Sequence, residues 1–280
     1  MGEPFIGSEA LAAGRVTPYQ LRSKFAAVHR DVYLPRGSEL TAATRATAAW
    51  LWSGRAGVIA GQSAAALHGA KWVDARRPAE LLYPNRRPPS GIRSWSDRYE
   101  DDEVQPLAGG LVLTTPARTA LDIACRYPPG PAVAAIDALA RATKLKTADV
   151  EMLAQRYRGR RGIRAALEAL DLVDAGAESP QETRVRLVLV KAGFPRPETQ
   201  IPVYDEYGQL VAVIDMGWRD LRVGVDYDGA HHRMSRRQFD RDVRRYEAVA
   251  ESGWDDVRIT GEDTDGSIIG RVGRAFDRRT

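Results

Sequence analysis

The sequence predicts an α/β protein, and two patterns support that class. Residues 8–69 carry short helical stretches around a strand-like run, and residues 175–280 alternate a helix, three strands, a helix, a strand and a final helix. The second order is typical of an α/β domain with a small mixed sheet. A chain of 280 residues is also long for a single core, so more than one domain is expected.

The first pattern contains the signals of short helices and a strand. Thr17 precedes Pro18, and proline tolerates the first position of a helix because the missing N–H has no partner there. Residues 27–34 are strand-like and lead into a turn. Helices, a strand and further helices are compatible with a winged-helix arrangement. The predicted domains are a winged helix at 1–75, a middle domain of short strands and then helices at 76–174, and an α/β domain at 175–280.

Composition and charge restrict the class of protein further. The net charge of +4 permits a nucleic-acid partner without requiring one. Cys125 is the single cysteine, so an intrachain disulfide is excluded. No apolar run approaches the roughly 20 residues that span a bilayer, and the N-terminus lacks the basic start of a signal peptide. We therefore expect a cytoplasmic protein with no membrane segment.

Three aspartates stand out in the C-terminal strands. Asp215 interrupts the apolar row of the strand 210–216, and Asp226 and Asp228 share one face of the strand 221–228. If these strands are neighbours, the three carboxylates converge and repel each other unless a cation intervenes. Such oxygen ligands suit Mg²⁺ or Mn²⁺, which activate water for phosphodiester hydrolysis.

Each of these residues also has a plainer interpretation. Aspartates at strand ends often form turns. His231 and His232, which follow directly, are candidates for general base, general acid or metal ligand, or are ordinary surface residues. Glu182 fits a capping box with Ser179, and on local grounds the cap explains it better than a site does.

The C-terminal motifs resemble the DUF559 family, which is similar to very-short-patch-repair endonucleases and has the restriction-endonuclease-like PD-(D/E)xK fold. The resemblance rests on residues 178–193, Asp215, 225–229, His231, His232, Asp240, Arg241 and 253–258. It implies that Glu182 faces the sheet on the first helix, and that Asp215 and the strand end from Asp226 to His232 form a metal site. Asp226 stands where the family more often has glutamate, and Asp228 stands where a lysine is common.

The N-terminal half resembles AbiEi-type antitoxins of type IV toxin–antitoxin systems. The similarity is carried by residues 7–14, 30–35, 63–69 and 114–122. It implies an N-terminal winged helix that binds operator DNA. The candidate DNA contacts are Gln20, Arg22 and Lys24 on a recognition helix, Arg30 and Arg36 on the strand pair, and Arg160 and Arg161 in a later arginine cluster. All of these are equally compatible with solvated basic residues.

Two functions follow from these expectations. The first is a DNA-interacting protein whose C-terminal domain hydrolyses phosphodiesters with Mg²⁺ or Mn²⁺ held by Asp215, Asp226 and Asp228. The alternative is a transcriptional repressor or type IV antitoxin whose nuclease-like domain is inactive. A toxin protein is a further possible partner, and a homodimer would help a winged helix to read a palindrome.

Overall fold

The computed structural model describes residues 2–85, 87–229 and 245–280. The chain divides into two units, Met1–Asp171 and Leu172–Thr280. Both contain helices and small sheets, in agreement with the predicted α/β class. In the described part of the chain, no helix has the length and hydrophobicity needed to cross a bilayer.

The first unit begins with two short helices and a three-stranded sheet. The sheet is antiparallel, with strand order β1-β3-β2. Thr17 caps the second helix by the predicted signal, because its side chain accepts from the Gln20 N–H and the Gln20 side chain accepts from the Thr17 N–H. These elements are β1 (Phe5–Ile6), α1 (Gly7–Ala12), α2 (Pro18–Lys24), β2 (Phe25–His29) and β3 (Val32–Pro35).

The single strand predicted over residues 27–34 is a hairpin. Asp31 adopts a left-handed conformation with φ of 60°, which turns the chain between β2 and β3. Its carboxylate accepts from the Ser8 N–H at 2.9 Å and from the Ser8 hydroxyl. Its carbonyl accepts from the Gly7 N–H at 2.8 Å. Asp31 therefore ties the hairpin turn to the first residues of α1.

The rest of the first unit combines a five-stranded sheet with helices. The strand order is β6-β5-β4-β8-β7, so a boundary at residue 75 would separate β4 from its neighbours. Apolar residues of α3, α4 and the sheet form its core. The elements are α3 (Ala42–Trp52), β4 (Val58–Ile59), α4 (Gly61–Leu67), β5 (Ala79–Leu82), β6 (Ile92–Trp95), β7 (Val104–Pro106), β8 (Val112–Thr114), α5 (Pro116–Arg126), α6 (Pro129–Thr143), α7 (Thr147–Arg156) and α8 (Ile163–Asp171).

The second unit has the helix and strand order that the sequence predicts. Its sheet has the order β12-β11-β10-β9, with β11 and β12 parallel and the other pairs antiparallel, so it is mixed. The elements are α9 (Pro180–Lys191), β9 (Glu198–Tyr204), β10 (Leu210–Trp218), β11 (Val223–Asp228), helical residues 245–251, β12 (Asp255–Thr260) and α10 (Asp265–Asp277).

Packing in the second unit fixes which side of β11 carries its carboxylates. Val223 and Val225 lie in a core with Val185 of α9 and Ile268 of α10. Because side chains alternate along a strand, Asp226 projects to the other side of the sheet. The predicted separation of apolar and acidic faces on this strand is therefore confirmed.

Candidate functional site

Asp215 on β10 and Asp226 on β11 lie close together, just beyond the last backbone pair between the two strands. The antiparallel pairing includes Met216 opposite Val225. Beyond this point side chains bridge the strands, because Asp226 Oδ1 accepts from the Asp215 N–H and Asp215 Oδ2 accepts from the Tyr227 N–H, both at 2.8 Å. The structure thus brings together two of the three predicted strand carboxylates.

Glu182 combines a structural role with a place beside Asp215. Its N–H donates to Ser179 Oγ at 3.2 Å, as expected of a capped helix start. Its carboxylate accepts from the Glu178 N–H at 2.7 Å, one residue before the cap. Glu182 is buried, and its charge contributes to raising the pKa of Asp215. Glu182 therefore belongs to the capped start of α9 and also lies near enough to Asp215 to influence its pKa.

Three charged residues that the sequence analysis did not select lie beside these carboxylates. Arg245 Nη2 donates to Asp226 Oδ2 and to the Val213 carbonyl, each at 2.7 Å. Arg258 lies opposite Asp226 in the parallel register of β11 and β12, and Asp256 lies opposite Gly224. Because side chains alternate along β12, Asp256 and Arg258 share one face of that strand. The sequence would identify them as neighbours of Asp226 only if β11 and β12 were known to be adjacent.

Burial and mutual repulsion change the ionisation of this cluster. Burial, followed by the charge of Asp226, raises the pKa of Asp215 to about 7. Burial also raises the pKa of Asp226, against the opposing charge of Arg245. Asp256 has a pKa raised to about 7 by burial and then by Asp226. The cluster therefore retains protons near neutral pH or requires neighbouring cations.

The carboxylate oxygens of Asp226 already have partners in the described part of the chain. Both oxygens of Asp226 are engaged, one with the Asp215 N–H and the other with Arg245. Arg245 thus neutralises Asp226 in this structure. Within residues 2–85, 87–229 and 245–280, no group of three or more His, Cys, Asp or Glu side chains is arranged to hold a metal.

The remaining predicted residues of this site are placed differently. Asp228 ends β11, is half-buried and contributes to raising the pKa of Asp226. His231 and His232 lie outside the described residues. Their participation in catalysis or metal binding stays a prediction.

In the first unit, α2 presents basic side chains to solvent. Leu21 is buried and anchors the helix, whereas Arg22 and Lys24 are exposed. Gln20 uses its side-chain carbonyl in the cap of the helix, which leaves its amide nitrogen to donate. Gln20 and Lys24, four residues apart, lie on the same side of the helix, whereas Arg22 projects in a different direction.

The β2–β3 hairpin adds two exposed cations, one at each of its ends. Arg30 lies at the turn between β2 and β3. Arg36 follows β3, and its Nη2 donates to the Arg22 carbonyl at 3.0 Å. This bond places Arg36 beside α2, whereas the turn that carries Arg30 is bonded to the start of α1.

The two arginines predicted in the later cluster have different surroundings. Arg160 is 13% exposed, and its Nη2 contacts Asp97 at 2.9 Å and Asp122 at 2.6 Å. Arg161 is exposed and has no ion-pair partner among the described residues. Contact of either residue with DNA stays a prediction.

The chain is similar to two curated proteins of Mycobacterium tuberculosis. These are the uncharacterized protein MT2308 of strain CDC 1551 and the uncharacterized protein Rv2248 of strain H37Rv, and each is 34% identical over 172 residues. The matched segment spans 60% of this chain and 63% of each relative. No solved structure shows significant similarity to the chain.

A family match covers much of the first unit and agrees with one of the two predicted resemblances. The DUF559 resemblance of the C-terminal residues receives no support from the relatives and stays a prediction. The predicted AbiEi resemblance is confirmed in part, because the match begins after the N-terminal sheet and extends through the middle strands and helices. Residues 55–173 match the family described as AbiEi antitoxin C-terminal domain.

Proposed function

We propose that this chain is a DNA-binding regulator of the toxin–antitoxin type. The observation that carries the proposal is the N-terminal arrangement of β1, α1, α2 and the β2–β3 hairpin, with exposed cations on α2 and the hairpin. Helix, turn, helix and a two-stranded wing is the winged-helix arrangement that the sequence predicts. The AbiEi antitoxin match at residues 55–173 supports the same class.

In this proposal, α2 enters the major groove and the hairpin contacts the backbone. Arg22 and Lys24 are exposed on α2, and Gln20 donates its amide N–H to a base edge or phosphate. Arg30 and Arg36 contact phosphates beside the groove. Phosphate contacts of this kind release counterions, so the affinity depends steeply on salt.

The partners belong to the proposal as well. A regulator of this type acts with a cognate toxin protein, which is the partner that the AbiEi similarity suggests. A homodimer would place two α2 helices on the two halves of a palindromic site.

The experiment compares affinity and salt dependence for duplex DNA from upstream of the chain's own gene and for a scrambled duplex. Wild type is expected to prefer the upstream duplex. The double variant Arg22→Gln/Lys24→Gln is expected to bind at least tenfold more weakly, with a salt slope smaller by about 0.9 per lost contact. Lys71→Gln removes an exposed charge elsewhere in the unit and is the matched control. Equal binding by wild type and the double variant would refute the assignment of α2.

A second candidate is Mg²⁺- or Mn²⁺-dependent phosphodiester hydrolysis by the C-terminal unit. The observation that favours it is the burial of Glu182 and Asp226 around Asp215, whose pKa is raised to about 7. Asp228, His231 and His232 are the further residues proposed for this site. Arg245 opposes it, because its guanidinium already neutralises Asp226.

Cleavage of supercoiled plasmid with Mg²⁺ or Mn²⁺ tests this candidate directly. Cleavage by wild type that is lost in Asp215→Ala would support a nuclease. Arg245→Ala removes the cation at Asp226, so a gain of Mn²⁺-dependent thermal stabilisation in this variant alone would show that arginine occupies the position of a metal. Absence of cleavage in wild type, together with intact DNA binding, would leave the regulator as the function.

A further inference from the structure

A large arginine-lined cavity lies in the first unit, apart from the N-terminal helix and hairpin. Its volume is about 1040 Å³, and seven of the thirteen residues that line it are arginines. Asp97 and Glu100 are the carboxylates among these lining residues. Small-molecule sites in proteins are commonly about 300 to 1,000 Å³, so this cavity has the size for a ligand.

Part of the arginine charge is neutralised behind the cavity wall. Arg118 pairs with Glu103 and Asp122, two carboxylates that are themselves buried. Arg160 pairs with Asp97 and Asp122, and Arg126 also pairs with Asp97. These interactions fix the wall and leave Asp97 already engaged by two cations, whereas Glu100 lies on the wall, is exposed and has no ion pair among the described residues.

Two cations on the wall remain available. Among the described residues, neither Arg98 nor Arg161 has an ion-pair partner, and both are exposed. Arg93 is also exposed, and its nearest carboxylate oxygen, on Glu80, is 3.6 Å away. An anion that enters the cavity therefore meets guanidinium groups that no protein carboxylate neutralises closely.

The wall also has more hydrogen-bond donors than acceptors. Guanidinium groups match the oxygens of phosphate in a bidentate manner, more closely than ammonium groups do. Because Arg98 and Arg161 are exposed on the wall, their planar donors favour a phosphate-bearing ligand over a neutral one.

Aromatic rings lie among these arginines. Trp95 and Tyr157 both line the cavity. The Arg126 guanidinium lies 3.9 Å from the Trp95 ring centroid, and that of Arg118 lies 5.0 Å from the Tyr157 ring centroid. Planar aromatic and guanidinium surfaces are the groups on which nucleobases stack. The wall thus offers both a phosphate site and a base site within one cavity.

We propose that this cavity binds a nucleotide-sized organophosphate, with Arg98 and Arg161 on its phosphates and Trp95 or Tyr157 against its base. The site lies within residues 55–173 and is separate from the proposed DNA contacts on α2. It would make the chain a protein that binds a small anionic ligand in addition to DNA.

Calorimetric titration of the full chain with ATP, pyrophosphate and adenosine tests the site without DNA. ATP is expected to bind more tightly than pyrophosphate, and adenosine more weakly than both. Arg98→Gln/Arg161→Gln is expected to weaken ATP binding at least tenfold, and these two exposed side chains have no ion pair whose loss would unfold the protein. Arg158→Gln, an exposed arginine outside the lining, is the matched control.

Three outcomes would overturn the proposal. The first is no binding of ATP or pyrophosphate by wild type. The second is equal ATP binding by wild type and the Arg98→Gln/Arg161→Gln variant. The third is binding of single-stranded oligonucleotide that is lost in Arg98→Gln/Arg161→Gln while ATP binding is unchanged in that variant, which would assign these two arginines to nucleic acid. Duplex-DNA binding by the same samples reports separately on α2, so failure of this site and failure of the proposed regulator are distinguishable.

Discussion

The buried ion pairs of Arg118 give the sharpest stability prediction. Arg118 contacts Glu103 through Nη1 and Asp122 through Nε, and the side chains of all three are no more than 1% exposed. Tyr157 adds a hydrogen bond to each of Arg118 and Glu103. Arg118→Gln would leave two buried carboxylates without their shared cation.

The size of the stability loss depends on the partners that Glu103 and Asp122 keep after Arg118 is replaced. Breaking a buried ion pair by removing one partner costs about 3 to 5 kcal/mol. Arg160 still neutralises Asp122, and Tyr157 still donates to Glu103, so we expect the lower end, about 3 kcal/mol. For a unit of this size, that corresponds to a fall in melting temperature of about 6 to 12 °C.

Arg76→Gln is the matched control, since it removes an arginine from a pair with Asp74 whose side chains are 91% and 39% exposed. Exposed pairs contribute at most about 1 kcal/mol, so its effect should be small. Urea unfolding and calorimetry of the full chain measure both variants. Adding Glu103→Gln to Arg118→Gln should restore part of the lost stability, because it removes one uncompensated charge. Equal losses for Arg118→Gln and Arg76→Gln would refute the reasoning.

Two further predictions concern the C-terminal carboxylates and a tight turn. The pKa of Asp215 is about 7 in the folded protein against about 3.8 when unfolded, so its contribution to stability is present below pH 4 and is lost as the pH rises through 7. Asp215→Asn should therefore match wild type at pH 4 and exceed it at pH 8 in calorimetry, and a difference independent of pH would contradict this. Gly162 has φ of 85°, and an added Cβ would lie 2.3 Å from the Cys125 carbonyl oxygen, whereas the corresponding position at Gly159 meets no atom within 4 Å. Gly162→Ala should lower the free energy of unfolding by at least about 1 kcal/mol relative to Gly159→Ala, and equal stability of the two variants would be evidence against a strained position.

Regular elements with strong local signals could be predicted from the sequence. The helix expected at 180–192 is Pro180–Lys191, and the strand expected at 210–216 is Leu210–Trp218. Caps and alternation determine these elements locally. The hairpin turn was missed because Arg30 and Asp31 lie within a strand-like run, and a left-handed aspartate leaves no distinctive composition.

The parts that were missed depend on pairing over long distances. β4 is two residues long and joins β5 to β8, so it has no periodicity to detect. The meeting of Asp215 and Asp226 was predicted on the condition that their strands are neighbours, and the antiparallel pairing of β10 and β11 meets that condition. The contact of Arg245 with Asp226 was not, since it requires the position of the helical residues 245–251 relative to the sheet.

The hydrogen bonds of Asp31 with Ser8 and Gly7 also affect the conformational entropy that the hairpin would lose on binding DNA. They hold the hairpin turn against the start of α1, and an added Cβ at Gly7 would lie 2.5 Å from the Tyr33 ring. A hairpin turn that is fixed in this way would lose little conformational entropy on binding. The hairpin would therefore be preorganised for a DNA groove and would not need to become ordered on contact. The same rigidity makes the turn intolerant of length changes, because one inserted residue would shift the strand register and remove the acceptor that begins α1.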